Sequence, residues 1–242
     1  MSCDNLTKDK EMTMQFKTFL TDVISHAYPT AEIETISIEE EEGNLTLRTY
    51  DASRMLIIVG KFKENCDDIT DKFGLSNIKM LKGLMNNKAI SDNDIVLRNR
   101  KNGDKNIPDR IDFKGKGASA VFRLVDQRVI PDQPVIKEIP WDIEFEPNAE
   151  LMTLFKSMAL LYTEIDKSFV LCSENGNLVS SFGLDTSSTH SGKMILSENI
   201  DTDVIGELKF PINLFLDVMK SSSGSESIKI KISNRGLLCV QV

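Results

Sequence analysis

Histidine is nearly missing from this 242-residue chain: His26 and His190 are the only two. No H-E-x-x-H or paired His–Cys spacing surrounds either of them, so metal-assisted catalysis lacks donors. No Ser/His/Asp or Cys/His constellation can be assembled for nucleophilic attack. The four cysteines, Cys3, Cys66, Cys172 and Cys239, stand far apart and never as C-x-x-C, which argues against a zinc site or a secreted disulfide framework and leaves reduced thiols. No apolar run approaches the ~18 residues that span a bilayer, and the opening MSCDNLTKDKEM holds no apolar signal core. The expectation is a cytosolic protein with no cofactor, no metal and no membrane partner. The sequons at Asn5 and Asn44 carry no meaning in that compartment.

Motifs that bind phosphate or cations are also incomplete. THSGKM (189–194) has the end of a phosphate-binding loop, but Ser187 stands where the first glycine belongs and Met194 where a magnesium-holding Ser or Thr belongs. FKGKGASA (113–120) lacks the strand-to-helix context of a phosphate cradle. Asp67, Asp68 and Asp71 have no calcium-loop spacing and read as a solvated loop. The chain is therefore read as a non-enzyme.

What is present is a mixture of amphipathic helices and short alternating strands, with 40% hydrophobic and 27% charged residues and a net charge of −8. Met12 to Ala27 places Met12, Phe16, Phe19, Leu20, Val23 and Ala27 on one helical face and Lys17, Thr18, Thr21 and Ser25 on the other. Residues 32–64 alternate in three runs with turns at Gly43-Asn44 and Asp51-Ala52-Ser53, an antiparallel meander. LSNIKMLKGLMNNK (75–88) has three lysines and no acid. Helical spacing gathers Ile78, Met80, Leu81, Leu84 and Met85 on one side and Lys79, Lys82, Gly83 and Asn86 on the other, with Ser76 as the expected cap. More strands follow in DIVLRNRKNG, RIDFKGKG and ASAVFRLVD.

The Pro-rich QRVIPDQPVIKEIPW (127–141) reads as an extended connector between two domains. Beyond it the pattern returns: a helix over 147–162 capped by Asn148, a hairpin around Asn175-Gly176, a strand in GKMILSEN, a short helix over 211–220 capped by Asn213, and a final hairpin near Asn234-Arg235-Gly236. Phe73-Gly74-Leu75-Ser76 matches Phe210-Pro211-Ile212-Asn213, and Phe16, Phe19, Val23 and Ile24 match Met152, Phe155, Ala159 and Leu160 at nearly the same spacing, the mark of an internal duplication. Each quarter of the chain contributes a helix with lysine on its polar face: Lys17, Lys79 with Lys82, Lys156, and Lys220. The acidic surplus lies elsewhere, above all in EIETISIEEEE (32–42), whose six glutamates have no base among them. Such segregation suggests helices turned toward an anion.

This element order, together with GASAVFRLVDQRVIPDQP (117–134) and GELKFPINLFLDVMKSSSGSESIKIKISNRGLLCVQV (206–242), resembles the sliding clamps of DNA replication, which include proliferating cell nuclear antigen and the processivity clamps of large tailed phages. The likeness runs from about Met12 onward and is architectural, without an invariant motif. It implies an α+β fold of two clamp-type domains, each a duplicated helix-plus-antiparallel-meander unit: domain 1 over 1–126, connector 127–141, domain 2 over 142–242. It implies a homotrimeric ring around double-stranded DNA of any sequence, helices on the inner face and sheets outside, acting as a processivity factor for a DNA polymerase and placed on DNA by an ATP-dependent clamp loader. A viral source, also implied, would set it in the host cell cytoplasm. On that model Lys17, Lys79, Lys82, Lys156 and Lys220 face DNA. A partner-peptide groove is formed by Val129, Ile130, Pro131 and Val135 with Leu238, Val240 and Val242. Subunits join edge to edge through Ala118, Val121 and Leu124 of one chain and Lys193, Ile195 and Leu196 of the next. Two other readings stay open: a monomeric or dimeric clamp-like DNA-binding factor, and a β-rich viral structural or scaffold protein that does not bind DNA.

Overall fold

A computed structural model describes residues 4–27, 33, 35–41, 44–51, 53, 55–62, 69, 71–91, 94–103, 105–130, 132, 138–183, 190–222, 225 and 227–242, with backbone alone for 4–15 and 91. The chain divides into two compact units, Met1–Val135 and Ile136–Val242.

In the first unit, α1 (Asp4–Ala27) precedes β1 (Thr35–Glu41), β2 (Asn44–Tyr50), β3 (Ile57–Lys61) and β4 (Phe73–Ser76). Then come α2 (Ile78–Asn86), α3 (Lys88–Ser91), β5 (Asp94–Asn102), β6 (Lys105–Lys114), β7 (Ser119–Arg123) and β8 (Val125–Asp126), closed by a 3-10 turn, Gln127–Val129. One antiparallel sheet runs β3-β2-β1-β4-β8 and a second runs β5-β6-β7. The helix begins earlier than the apolar periodicity alone marks, at Asp4; no proline or glycine interrupts residues 4–15. Phe16, Leu20 and Val23 of α1 are buried in one cluster with Ile36, Ile38, Phe73, Leu81, Ile111 and Phe113. Placing a helix stripe across both sheets removes the apolar face of each from water, at about 25 cal/mol per Å² of apolar surface.

The second unit repeats the order: β9 (Ile143–Phe145), α4 (Ala149–Tyr162), β10 (Ser168–Glu174), β11 (Asn177–Phe182), β12 (Gly192–Ser197), β13 (Leu208–Pro211), α5 (Ile212–Ser221), β14 (Lys229–Ser233) and β15 (Leu237–Gln241). Its sheets run β12-β11-β10-β13 and β15-β14-β9. Phe155 of α4 is the hub of the core, meeting Phe169, Phe182 and Phe215 at ring-centroid distances of 5.1, 5.3 and 4.9 Å, all steeply inclined. Edge-to-face packing of this kind adds ~0.5–1.5 kcal/mol per pair beyond area burial.

The duplication is real in topology but shifted from the sequence match. Thr35 pairs with Ser76 in one unit and Ser168 with Pro211 in the other. Leu75 therefore occupies the place of Phe210, two positions from the Phe73–Phe210 match. In α4 the buried positions are Phe155 and Ala159, whereas Leu160 is exposed, so the match of Ile24 with Leu160 pairs a buried residue with an exposed one. Apolar faces tolerate such slips in alignment, while hydrogen-bond registers do not.

Two caps also differ. Ser76 is the last residue of β4, and Asn77 caps α2 from a left-handed backbone (φ 50), its Oδ1 accepting the Met80 N–H at 3.2 Å; Asn tolerates this conformation better than Ser. Asn148 caps α4 as expected, accepting the Leu151 N–H at 2.7 Å. Asn213 lies inside α5, because β13 runs straight into the helix at Pro211 and the Ile212 N–H is held by the Lys167 carbonyl at 2.9 Å.

Asp51 ends the β2 side of a turn and is buried. Its carboxylate accepts the Leu56 N–H at 2.7 Å, the Ser53 N–H at 3.3 Å and the Ser53 hydroxyl. Burial acts to raise its pKa, yet these donors together outweigh burial and hold it below the usual carboxylate range. A carboxyl whose folded pKa is depressed stabilises the protein above its unfolded value, about 4, and loses that contribution as pH falls through and below it. Asp51→Asn should therefore lower unfolding stability at pH 7 by about 1.5–3 kcal/mol and flatten the decline below about pH 4, as read by urea titration across pH.

Candidate functional site

The five lysines expected to face an anion fall on four helices in two units. In the first unit, Lys79 is exposed on α2 and Lys82 and Lys17 are half-buried. The buried stripe of α2 centres on Ile78 and Leu81, with Leu84 and Met85 packed beside them. At 100° per residue Lys82 flanks that stripe on one side and Met80 on the other, so Met80, expected inside, is 48% exposed. In the second unit, Lys156 of α4 and Lys220 of α5 are exposed. The outer face of α4 is less polar than its Thr153, Lys156 and Ser157 suggest, because Leu154, Leu160 and Leu161 are exposed with them. The Leu160-Leu161 doublet was the available signal: two adjacent leucines on a helix cannot both enter a core already filled by Phe155 and Ala159.

The acidic segment is not free of cations in space. Arg48 binds Glu41 at 2.6 and 2.7 Å and Glu39 at 3.2 Å, and Lys72 reaches Glu39 at 3.2 Å. Partners across a sheet are invisible to a reading along the chain. The outer face of β5-β6-β7 is the second surprise. Asp112 accepts from Arg98 at 3.3 Å and Arg110 at 2.9 Å; Asp109 accepts from Arg123 at 2.7 Å. Asp126 binds Arg100 and, at 2.9 Å twice, Arg128. Hydrogen bonding from Arg128 holds the Asp126 carboxyl far below the ordinary range. The three carboxylates are only 14–22% exposed and the five guanidiniums 39–74%. Arg98, Arg100, Arg110 and Arg123 against Asp109 and Asp112 leave the face of β5-β6-β7 positive, while Asp126 and Arg128 belong to β8 and the turn after it.

The groove residues divide. Pro131 and Val135 lie outside the described residues. Val129 is 69% exposed, but Ile130, expected beside it on the surface, is 9% exposed. Gly74 makes that burial possible: a Cβ there would stand 3.2 Å from Ile130 Cγ1 and 2.9 Å from Val125 Cβ. Leu238 and Val240 pack onto the core of the second unit and Val242 is exposed.

The two expected joining strands are sheet ends. β7 is the last strand of β5-β6-β7 and β12 the first of β12-β11-β10-β13. Val121 of β7 and Ile195 of β12 are 50% and 45% exposed. Ala118 is exposed just ahead of β7; Leu124 and Leu196 instead pack against their own cores. Lys193 turns toward Glu174, which it binds. An unpaired edge with an outward apolar residue is a template for another strand.

Among the described residues, no three His, Cys, Asp or Glu side chains converge as a metal site, and no helix is long and apolar enough to cross a membrane. Gly192 begins a strand, so THSGKM leads into no helix N-terminus. Gly115 to Ala118 is a tight turn, its N–H to carbonyl distance 2.9 Å. Cys172 and Cys239 are free thiols, both raised in pKa by burial; Cys3, Cys66, Asp67 and Asp68 lie outside the described residues.

Two units of helix over antiparallel sheet define the fold of DNA sliding clamps, and comparison with solved structures shows this directly. The chain is similar to PCNA from Thermococcus kodakaraensis, with 14% identity, a TM-score of 0.57, and coverage of 91% of this chain and 87% of that one. It is likewise similar to A. fulgidus PCNA bound to the C-terminal region of FEN-1, with 13% identity, a TM-score of 0.60, and coverage of 90% and 85%. No protein-family model and no curated protein sequence matches the chain.

Ile130 and Val129 give the connector a direct test. Ile130→Ser should destabilise the protein by about 2–5 kcal/mol, whereas Val129→Ser should stay within about 0.5 kcal/mol. Denaturant unfolding of the two variants checks this, and equal costs would refute the assignment of Ile130 to the core.

Proposed function

We propose that this protein is a sliding clamp: three copies close into a ring around duplex DNA and tether a DNA polymerase to its template. The observation that carries the reading is the PCNA fold, matched over about nine-tenths of the chain. Two sheet ends with no partner strand among the described residues, β7 and β12, on separate units support it, since an unlike pair of edges on one chain makes a head-to-tail contact that can close into a ring.

Helices lining the hole would set Lys17, Lys79, Lys82, Lys156 and Lys220 toward the phosphates. Each exposed Lys–phosphate attraction is worth only ~0.2–1 kcal/mol and is screened over about 8 Å at physiological salt, so no single contact holds the ring in one register. Contacts that are weak and blind to sequence permit sliding, and topology supplies retention. Such a role needs no catalytic group, and a separate ATP-dependent loader opens the ring. The peptide surface would use the exposed Val129, beside the core-anchored Ile130. A C-terminal segment of a partner occupies A. fulgidus PCNA in the FEN-1 complex, and a polymerase segment would dock here in the same way.

Light scattering on the purified protein should give about 82 kDa, three times the 27.2 kDa chain. A persistent monomer would reject the ring in favour of a monomeric factor. Because Lys79, Lys156 and Lys220 are the exposed members, replacing these three by Glu should leave fold and mass unchanged while reversing the local field. The variant should load poorly on nicked circular DNA and lose polymerase stimulation, with the wild-type advantage shrinking as salt rises. Undiminished loading and stimulation would show that the lysines are merely solvated.

A further inference from the structure

We propose that a cleft beside β12 is a socket for the Arg123 side chain of a second copy of this chain. The proposal rests on the head-to-tail assembly above and adds the element that chooses which edge meets which. The cleft has a volume of about 250 Å³ and is lined by Glu174, Asn175, Asn177, Val179, Lys193 and Ile195. It lies where the β11–β12 ladder slips: Leu178 pairs with Ser197 but Val179 pairs with Ile195, leaving Leu196 as an extra residue. A bulge of this kind bends the strand and re-aims the side chains around it.

The lining suits a long cation. Glu174 offers a carboxylate, Asn175 and Asn177 carry amide carbonyls, and Val179 with Ile195 offers apolar surface for methylene groups. Guanidinium matches a carboxylate flanked by carbonyl acceptors better than ammonium does, because its planar fork donates in two directions.

Strand geometry says which arginine arrives. All ladders among the named strands are antiparallel. Adding β7 to β12 in the same sense, with Val121 opposite Ile195, sets Arg123 opposite Lys193 at the mouth of the cleft. Arg123 is 67% exposed and already oriented by Asp109 at 2.7 Å. Lys193 reaches across β11 to Glu174, so that carboxylate stands between the two cations and serves both.

Charge reinforces this choice. Residues 94–128 hold nine bases and five acids, and residues 163–211 hold eight acids and three bases. Like edges repel and unlike edges attract, which steers association and works against a closed two-fold dimer through either edge.

The test is a double-mutant cycle on self-association, followed by light scattering over a dilution series in 0.1 M and 0.5 M NaCl. Arg123→Ala and Glu174→Gln should each raise the dissociation constant about 10-fold at low salt, and the double variant should be no weaker than either single one. Both effects should shrink at high salt, with far-ultraviolet circular dichroism unchanged. Additive losses, or variants that assemble as tightly as wild type, overturn the socket while leaving the ring intact. A wild-type chain that never associates overturns the ring itself, and the socket with it.

Discussion

Phe155 is 1% exposed, and the second unit is organised around its burial. Three phenylalanines from β10, β11 and α5 close on it at about 5 Å, which fixes the rotation of α4 about its axis. With Phe155 and Ala159 inward, Lys156 and the exposed leucines must point outward, whatever they do there. In the first unit the same constraint is met by Phe16 and Leu20 of α1 against Ile36 and Phe73. Because a helix covers only one face of a sheet, this solution leaves the other sheet face and the terminal strands uncovered.

Those uncovered parts carry the functional argument. β7 and β12 end their sheets with exposed valine and isoleucine, features that a protein working as a solitary molecule ordinarily blunts with charge, proline or a covering loop. Near β7 the chain places arginines over carboxylates; near β12 a bulge opens a cleft beside Glu174. A net charge of −8 therefore conceals a polarised distribution, and it is the polarity, not the sum, that sets the field beside each sheet end.

Much of the architecture was legible along the chain. The helical stripes of α1 and α4, the hairpin turns at Asn175-Gly176 and Asn234-Arg235-Gly236, the Asn148 cap and the repeated order of helix and strands follow from local periodicity and turn chemistry. What misled was any judgement needing the rotation of an element or the register of a pair. Met80 was expected inside and is outside; Ile130 was expected outside and is buried on Gly74. The six glutamates of 32–42 have no base beside them in sequence, yet Arg48 and Lys72 reach Glu39 and Glu41 across the sheet.

By itself, then, the sequence determined which residues form helices and strands, that the unit is duplicated, and that catalytic and metal-binding groups are scarce, because each depends on neighbours within a few positions. Tertiary structure alone decided which strands end their sheets, which lysines stand clear of the core, and how Arg98, Arg100 and Arg123 reach Asp112, Asp126 and Asp109. Those outcomes arise from cross-strand distances of about 5 Å between residues far apart in the chain. Pairwise proximity of that kind has no periodic signature for a one-dimensional reading to find.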